Sequence, residues 1–230
     1  MTLSVIYYSN HRLPPKLQRF CFETLMRSAR AASAELICVT WTGATGAARP
    51  AASARHAWLP IRIAWPDHIC SHANLYRQIL AGIEAAHGDL IALAEHDVLY
   101  PPGYFEGLTA AAPAGIVYNT NVWRLSSRGF FPSDNTHLLS NCGGPRARLV
   151  RRIKQKLADS LRGVPEWAEP AADGEFRSPH ATIDIRHAFN FTGARHPSNG
   201  RYREEVGYWG KSHRYTSLFV RQTAQLRKPA

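Results

Sequence analysis

Hydrophobic and polar positions along the chain follow a pattern typical of an α/β protein. The apolar runs Leu3 to Tyr8, Glu35 to Trp41 and Leu59 to Trp65 each predict a strand. Between the first two, apolar positions at helical spacing from Leu17 to Met26 predict a helix, which Pro14 can start. This alternation predicts βαβ units and therefore a mostly parallel, doubly wound sheet flanked by helices.

The most informative segment runs from Gly88 to Pro102. An unbroken apolar run follows Gly88 and ends in Glu95 and Asp97, which predicts a strand buried on both faces. If the strand period continues, both carboxylates leave on one side and His96 on the other. Ligands of open α/β sheets bind beyond the carboxyl ends of the strands, so this acid pair suits a hard divalent cation. The alternative is that the pair is only the polar end of a strand.

A helix precedes that strand. Leu75, Ile79, Ile83 and Ala86 fall on one stripe, Ser71 can cap the helix, and Gly88 stands where a helix C-terminus favours glycine. The predicted order is therefore helix, tight turn, buried strand and acid pair.

This composite resembles the GT-A fold glycosyltransferases that use nucleotide sugars, especially family 2. In those enzymes a helix with spaced Asn, Gly and Ala leads into Gly-Asp-x-Ile, a D-x-D motif and Pro-Pro. The matching residues are Asn74, Gly82, Ala86, Gly88, Asp89, Ile91, Glu95, Asp97, Pro101 and Pro102. The chain departs from the motif at Glu95, where the family has aspartate.

The resemblance implies a metal-dependent glycosyltransferase with a single GT-A-like α/β domain over residues 1–230. Residues 1–110 would bind the nucleotide sugar, expected to be UDP-glucose, and residues 111–230 the acceptor. Asp97 with Glu95 would hold Mn²⁺ or Mg²⁺. The candidate contacts to the nucleotide sugar are Asn10, Arg12, Asp67, Asn74, Arg77 and Glu95. Solvated turns, or a surface position for Arg77, are the alternatives.

A second constellation lies in residues 179–193, where Asp184, Arg186 and His187 crowd among Ile and Phe next to a predicted strand, Thr182 to Ile185. Asp184 and Arg186 could instead form a structural ion pair. The resemblance implies that Asp184 is the catalytic base that takes a proton from the acceptor hydroxyl. His187 is either a further metal ligand or a group that orients the acceptor, with Asp184 favoured over it as the base.

Charge points to an anionic partner. The chain has 28 basic and 17 acidic residues, a net charge of +11, and a predicted helix over residues 146–162 concentrates basic side chains around an apolar stripe. The stripe consists of Leu149, Ile153, Leu157 and Leu161. The basic residues are Arg146, Arg148, Arg151, Arg152, Lys154, Lys156 and Arg162.

The motifs also resemble the glucosyltransferase group associated with base J and with hypermodified phage DNA. That resemblance implies hydroxymethylated pyrimidines in DNA as the acceptor, so DNA is an expected partner. The candidate acceptor contacts are Trp123, Arg186, Asn190 and Trp209, although Trp209 could equally be a packing residue.

Two other functions stay open: a glycosyltransferase acting on a lipid-linked or polysaccharide acceptor, and a non-catalytic DNA-binding module. The chain has no apolar stretch of membrane-spanning length and no secretory signal pattern, so we expect a cytoplasmic protein, in the host cytoplasm if it is phage-encoded. Cys21, Cys38, Cys70 and Cys142 are widely spaced, which predicts reduced, mostly buried thiols.

Overall fold

The structure is a computed structural model that describes residues 1–9, 13–41, 56–61, 72–133, 137–164, 169–186 and 201–216. The strands, in chain order, are β1 (Leu3–Tyr8), β2 (Glu35–Trp41), β3 (His56–Ile61), β4 (Leu90–Glu95), β5 (Val98–Leu99), β6 (Val117–Asn119), β7 (Val122–Ser126), β8 (Gly129–Pro132), β9 (Cys142–Pro145), β10 (Gly174–Phe176), β11 (Thr182–Ile185), β12 (Glu205–Val206) and β13 (Gly210–Lys211). The helices are α1 (Pro15–Ala31), α2 (His72–Ala85), α3 (Tyr104–Ala111), α4 (Arg146–Leu161) and α5 (His213–Thr216).

A seven-stranded sheet in the order β10-β6-β9-β4-β1-β2-β3 forms the centre of the molecule. Strands β4, β1, β2 and β3 are parallel, and β10 pairs in parallel with β6. Strand β9 runs antiparallel between β4 and β6. The predicted mostly parallel α/β sheet is confirmed.

Helices cover both faces of this sheet, because its apolar strands present side chains in both directions. On one face Val5 and Tyr7 of β1 pack with Leu25 of α1 and Phe105 of α3. On the other, Ile6 packs with side chains of α2 and α4, including Ile79 and Leu149. A Cβ on Gly82 of α2 would lie 2.4 Å from Ile6, so this helix approaches the sheet as only glycine permits. Among the described residues, no helix is long and apolar enough to cross a membrane.

A second, four-stranded sheet in the order β5-β11-β7-β8 follows the central one. One face of it forms a third apolar cluster with α1, in which Leu17 and Cys21 pack against Ile183, Ile185 and neighbouring side chains. The described cysteines Cys21, Cys38 and Cys142 are free and buried, as predicted.

A buried amide joins the two sheets. The Asn119 side-chain oxygen accepts hydrogen bonds from the Asn121 and Ser178 backbone N–H groups at 3.1 and 3.0 Å, and its amide nitrogen donates to the Thr182 hydroxyl at 3.3 Å. That hydroxyl donates to Asn141 at 2.7 Å. Asn119 is 0% exposed, so its hydrogen bonds fix the start of β11 relative to β6.

The structure corrects several sequence-based expectations. The third strand begins at His56 and not at Leu59. The segment after the acid pair contains a further strand, since Val98 and Leu99 form β5 in the second sheet. Leu161 is 59% exposed and so leaves the apolar stripe of α4, because the helix ends there. Gly88 is needed for close approach, since a Cβ would lie 2.5 Å from the Ser4 hydroxyl oxygen, and not for a left-handed helix end.

Candidate active site

The acid pair lies where the chain passes from β4 of the central sheet to β5 of the second sheet. Strand β4 ends at Glu95, and His96 and Asp97 form a turn before β5. The strand alternation assumed for Glu95 and Asp97 is therefore interrupted at the turn. The register of β5 and β11 places Val98 opposite Asp184, and the Ile185 N–H donates to the Asp97 carbonyl at 2.9 Å. These contacts bring the two predicted constellations together.

Three carboxylates share this place and affect one another. Asp97 and Asp184 are 7% and 6% exposed. Burial raises the pKa of Glu95 well above its ordinary value, and the negative charges of Asp97 and Asp184 raise it further. Glu169 adds to that effect from the segment before β10. A cluster of like charges held out of water is costly, and a bound cation would relieve the cost.

Two buried arginines accompany Asp184. The Arg186 guanidinium donates to the Asp184 carboxylate at 3.1 Å, and the Arg124 Nε lies 3.5 Å from the same oxygen. Burial raises the pKa of Asp184, Asp97 raises it further, and the two arginines oppose that rise without cancelling it. The ion pair considered from the sequence is therefore present, with a second arginine added by β7.

Tyrosines position the end of β4. The Glu95 N–H donates to the Tyr100 hydroxyl at 3.1 Å, and that hydroxyl donates to the Ser140 carbonyl at 2.8 Å. Tyr8 lies opposite Glu95 in the β1–β4 register. Burial raises the pKa of Tyr8, and the charge of Glu95 raises it further. Both phenols therefore stay protonated beside the acids.

Sequence reasoning missed four residues around these acids: Tyr8, Tyr100, Arg124 and Glu169. Arg124 carries a signal, because it is a charged residue within an apolar strand run, Val122 to Leu125. Glu169 carries none, since it lies in an Ala-, Glu- and Pro-rich segment far along the chain from β4. Only tertiary structure brings it near Glu95.

Within the described ranges, the acids do not form a complete metal site of their own. Among residues of the described ranges, no three His, Cys, Asp or Glu side chains are arranged to hold a metal ion by themselves. Mg²⁺ in proteins is commonly held by one or two carboxylates together with substrate phosphates and water. Glu95 and Asp97 could supply two oxygen ligands to a site of that kind.

The predicted donor contacts are only partly described. Asn74 is buried in the first turn of α2 and Arg77 is exposed one turn later. Asn10, Arg12 and Asp67 lie outside the described residues, as do His187 and Asn190 of the predicted catalytic, metal and acceptor sets. Their assignments stay predictions.

The predicted acceptor residues separate into two groups. Arg124 and Asp184 are register partners on adjacent strands, so they share one face of the second sheet, and Arg186 joins them. Trp123 and its register partner Ile183 face the other way, into the third apolar cluster. Trp209 is buried in that cluster, as the packing alternative predicts, and its indole N–H donates to the Ala181 carbonyl at 2.6 Å.

Helix α4 has a strongly basic outer face. Arg151, Arg152 and Lys154 are exposed. Arg148 pairs with Asp173 at 3.2 Å and Arg162 with Asp159 at 2.6 Å. Arg146 instead donates to the Ile83 carbonyl at 2.8 Å, which satisfies the last turn of α2.

The central parallel strands, the mixed outer strands and the helices on both faces form an α/β fold with acids at the strand ends. The structure is similar to TarS residues 1–349 of S. aureus, solved in complex with UDP-GlcNAc, with a TM-score of 0.52 and 10% identity. That match covers 86% of this chain and 62% of the TarS fragment, so the chain spans less than two thirds of that protein's length. At this identity the likeness shows the fold.

A nucleotidyl transferase from Methanothermobacter thermautotroptrophicus is also similar, with a TM-score of 0.46 and 14% identity over 77% of this chain and 86% of the other. No family model matches the sequence, and no curated protein matches it.

Proposed function

We propose that the protein is a glycosyltransferase that moves a sugar from a nucleotide-sugar donor to a hydroxyl acceptor. One observation carries this proposal: Glu95, Asp97 and Asp184 meet at the carboxyl end of the central parallel strands. That edge is where open α/β sheets bind ligands. The likeness to a TarS structure that holds UDP-GlcNAc supports a sugar nucleotide as the donor.

In this proposal Asp97 and Glu95 would hold Mn²⁺ or Mg²⁺ together with the donor diphosphate. When bound, the cation offsets the negative charge that grows on the departing nucleoside diphosphate. The Tyr100 hydroxyl fixes the main chain at Glu95, so the carboxylate is positioned before the donor arrives. UDP-glucose is the donor that the sequence resemblance implies.

Asp184 is the proposed base. It would accept the proton of the acceptor hydroxyl while that oxygen bonds to the anomeric carbon and the bond to the diphosphate breaks. Arg186 and Arg124 hold its carboxylate at 3.1 and 3.5 Å, and Asp97 lies close enough to raise its pKa. His187 is the alternative base or a further metal ligand.

For the acceptor, we propose a hydroxymethylated pyrimidine in DNA, as the base J and phage group would use. The net charge of +11 and the exposed Arg151, Arg152 and Lys154 of α4 support a polyanionic partner. Lysine and arginine neutralise phosphates, and the target base must leave the helix to reach a pocket.

A thermal-shift screen of nucleotide sugars with and without Mn²⁺ tests the donor. A donor present at about a hundredfold excess over its Kd stabilises the fold by about 2.7 kcal/mol, which is a Tm rise of about 5–10 °C for a chain of this size. The rise should need both Mn²⁺ and the diphosphate. If no nucleotide sugar changes Tm under either condition, the glycosyltransferase proposal is wrong.

Salt titration of DNA binding tests the acceptor. We expect affinity to fall steeply with salt, since each phosphate contact contributes to the slope. Binding to anionic vesicles without DNA binding would favour a lipid-linked acceptor, and DNA binding without any donor turnover would favour the non-catalytic module.

A further inference from the structure

A pocket of about 220 Å³ opens on the face of the second sheet that points away from Asp184. We call it the rear pocket. Its walls include Trp123 of β7, His180 before β11, and Arg203, Glu205 and Tyr208 of the C-terminal segment. Of these residues, only Trp123 belongs to the predicted acceptor site. It lies on the face of the second sheet opposite to Asp184.

Aromatic rings form one wall of the rear pocket. Tyr208 is 48% exposed and stacks on His180, with ring centroids 5.0 Å apart and an angle of 23° between the planes. Tyr208 also meets Trp209 edge-on, with ring centroids 5.0 Å apart. The hydrogen bond from Trp209 to the Ala181 carbonyl fixes the indole, and the fixed indole in turn restrains the Tyr208 ring that packs on it. A pre-positioned flat ring of this kind suits stacking by a planar ligand.

Charged groups also line the rear pocket. The Arg203 guanidinium lies 5.1 Å from the centre of the Trp123 ring, a cation–π contact. The Arg203 main chain is bonded in both directions to Phe130, at 3.0 and 2.7 Å, which fixes the residue to β8. The exposed Glu205 carboxylate lies beside it. The pocket thus combines a fixed cation, a hydrogen-bond acceptor and a stacking surface.

The geometry points to a nucleobase that carries an exocyclic amino group as the ligand of the rear pocket. Tyr208 would stack the base, Glu205 would accept a hydrogen bond from the amino group, as carboxylates do from cytosine N4, and Arg203 would meet the phosphate. The net charge of +11 favours a nucleotide over a neutral sugar ring.

This inference rests on the proposed DNA acceptor and refines it. Asp184 and the rear pocket lie on opposite faces of one sheet, so the base in this pocket is not the base that reacts. It is a neighbouring base of the same strand, and the pocket therefore sets which sequence lies beside the modified position. Cytosine, adenine or guanine would be preferred there over thymine, which has no amino group.

Fluorescence anisotropy with labelled single-stranded tetranucleotides dC₄ and dT₄ tests the inference. The unaltered protein should bind dC₄ more tightly than dT₄. Tyr208→Ala should weaken both by about 5-fold to 150-fold, the range for losing one stacked base. Glu205→Gln should bring the dC₄ to dT₄ affinity ratio close to one, because glutamine can also donate to thymine O4.

Arg30→Ala is the matched control, since it removes one exposed positive charge from the end of α1, far from the pocket. It should weaken both tetranucleotides slightly and leave their ratio unchanged. Equal affinity of the unaltered protein for dC₄ and dT₄, or binding that Tyr208→Ala does not alter, would overturn the inference. So would displacement of dC₄ by a neutral oligosaccharide.

Donor hydrolysis by the unaltered protein, measured without nucleic acid, separates the two proposals. Hydrolysis of a nucleotide sugar together with equal binding of dC₄ and dT₄ leaves the glycosyltransferase proposal standing and removes the rear-pocket base. Preferential dC₄ binding without any donor hydrolysis does the reverse.

Discussion

Carboxylates lie at both ends of the central sheet, and their surroundings shift their pKa values in opposite directions. At the amino end, Glu35 accepts hydrogen bonds from the His87 N–H at 2.9 Å, from the His87 ring at 2.8 Å and from the Ser4 hydroxyl. Partial burial raises the pKa of Glu35, but these hydrogen bonds outweigh it and lower the pKa below its ordinary value. This carboxylate is stable as an anion.

At the carboxyl end, Glu95 is surrounded by other acids, and burial and like charge raise its pKa well above the ordinary value. The two ends differ in what completes the site. Donors from the protein itself satisfy Glu35, whereas the Glu95 cluster gathers negative charge that a cation from outside can balance. The amino end therefore contributes to stability, and we propose that the carboxyl end contributes to activity at some cost in stability.

The largest expected effect comes from Asp97→Asn. The change keeps the shape and removes the charge that would hold the cation, so we expect transfer from a labelled nucleotide sugar to fall about 100-fold or more. Asp89→Asn is the control, because Asp89 is an exposed acid at the opposite end of the same strand that accepts a hydrogen bond from the Thr2 N–H at 3.1 Å. Equal turnover of the two variants would remove the proposed role of Asp97.

Tyr100→Phe should have the next largest effect. It removes the partner of the Glu95 N–H and of the Ser140 carbonyl, and leaving buried groups unbonded costs about 1–3 kcal/mol. Urea unfolding measures that loss, and steady-state kinetics should show a smaller fall in kcat than Asp97→Asn gives.

Tyr104→Phe provides a matched control for Tyr100→Phe. The two rings are neighbours with centroids 5.2 Å apart, and both are buried. The Tyr104 hydroxyl has no hydrogen-bond partner within the part of the chain that the structure describes. Its removal should therefore be neutral or slightly stabilising. A similar loss in both variants would mean that the hydrogen bonds of the Tyr100 hydroxyl are not what stabilises the end of β4.

Glu95→Gln should separate stability from activity. Removing one charge from a crowded buried cluster should raise the free energy of unfolding by roughly 0.5–2 kcal/mol while transfer falls. Unfolding is measured in EDTA, so that no bound cation balances the acids of the unaltered protein. A stability loss on this substitution would show that the cluster is already compensated by its protein surroundings.

Local pattern was enough to predict much of the central sheet. Strands β1 and β2 have the predicted bounds, and α4 ends one residue before the predicted limit, because their apolar periodicity is strong and their ends carry turn residues. The pairing of Asp184 with Arg186 was also within reach, since the two residues are close in the chain.

Strand β11 of the second sheet has the predicted bounds, but the pairing of this sheet could not be predicted, for a physical reason. Its strand β5 has only two residues, and it pairs with β11 far along the chain. No local periodicity encodes such a pairing. The same holds for Arg124, which meets Asp184 through the β7–β11 register, and for Trp123, whose place on the opposite face follows only once that register is known.

Glu35→Gln should give the smallest of these effects, a loss in the free energy of unfolding whose pH dependence has a definite direction. Glutamine loses charge-assisted hydrogen bonds to His87 and Ser4, which should cost about 1 kcal/mol at pH 7 for this partly exposed group. Because the folded-state pKa is lowered, the stabilisation is present above the unfolded value of about 4.3 and is lost as pH falls through the folded value.

Urea unfolding of Glu35→Gln and of the unaltered protein should therefore differ at pH 7 and converge in the acid range. Transfer activity should be unchanged, since Glu35 lies at the end of the sheet opposite Glu95. A gap in stability that persists below the folded-state pKa would mean that the Glu35 contacts act through shape and not through charge. The contrast between the two ends would then rest on the acid cluster alone.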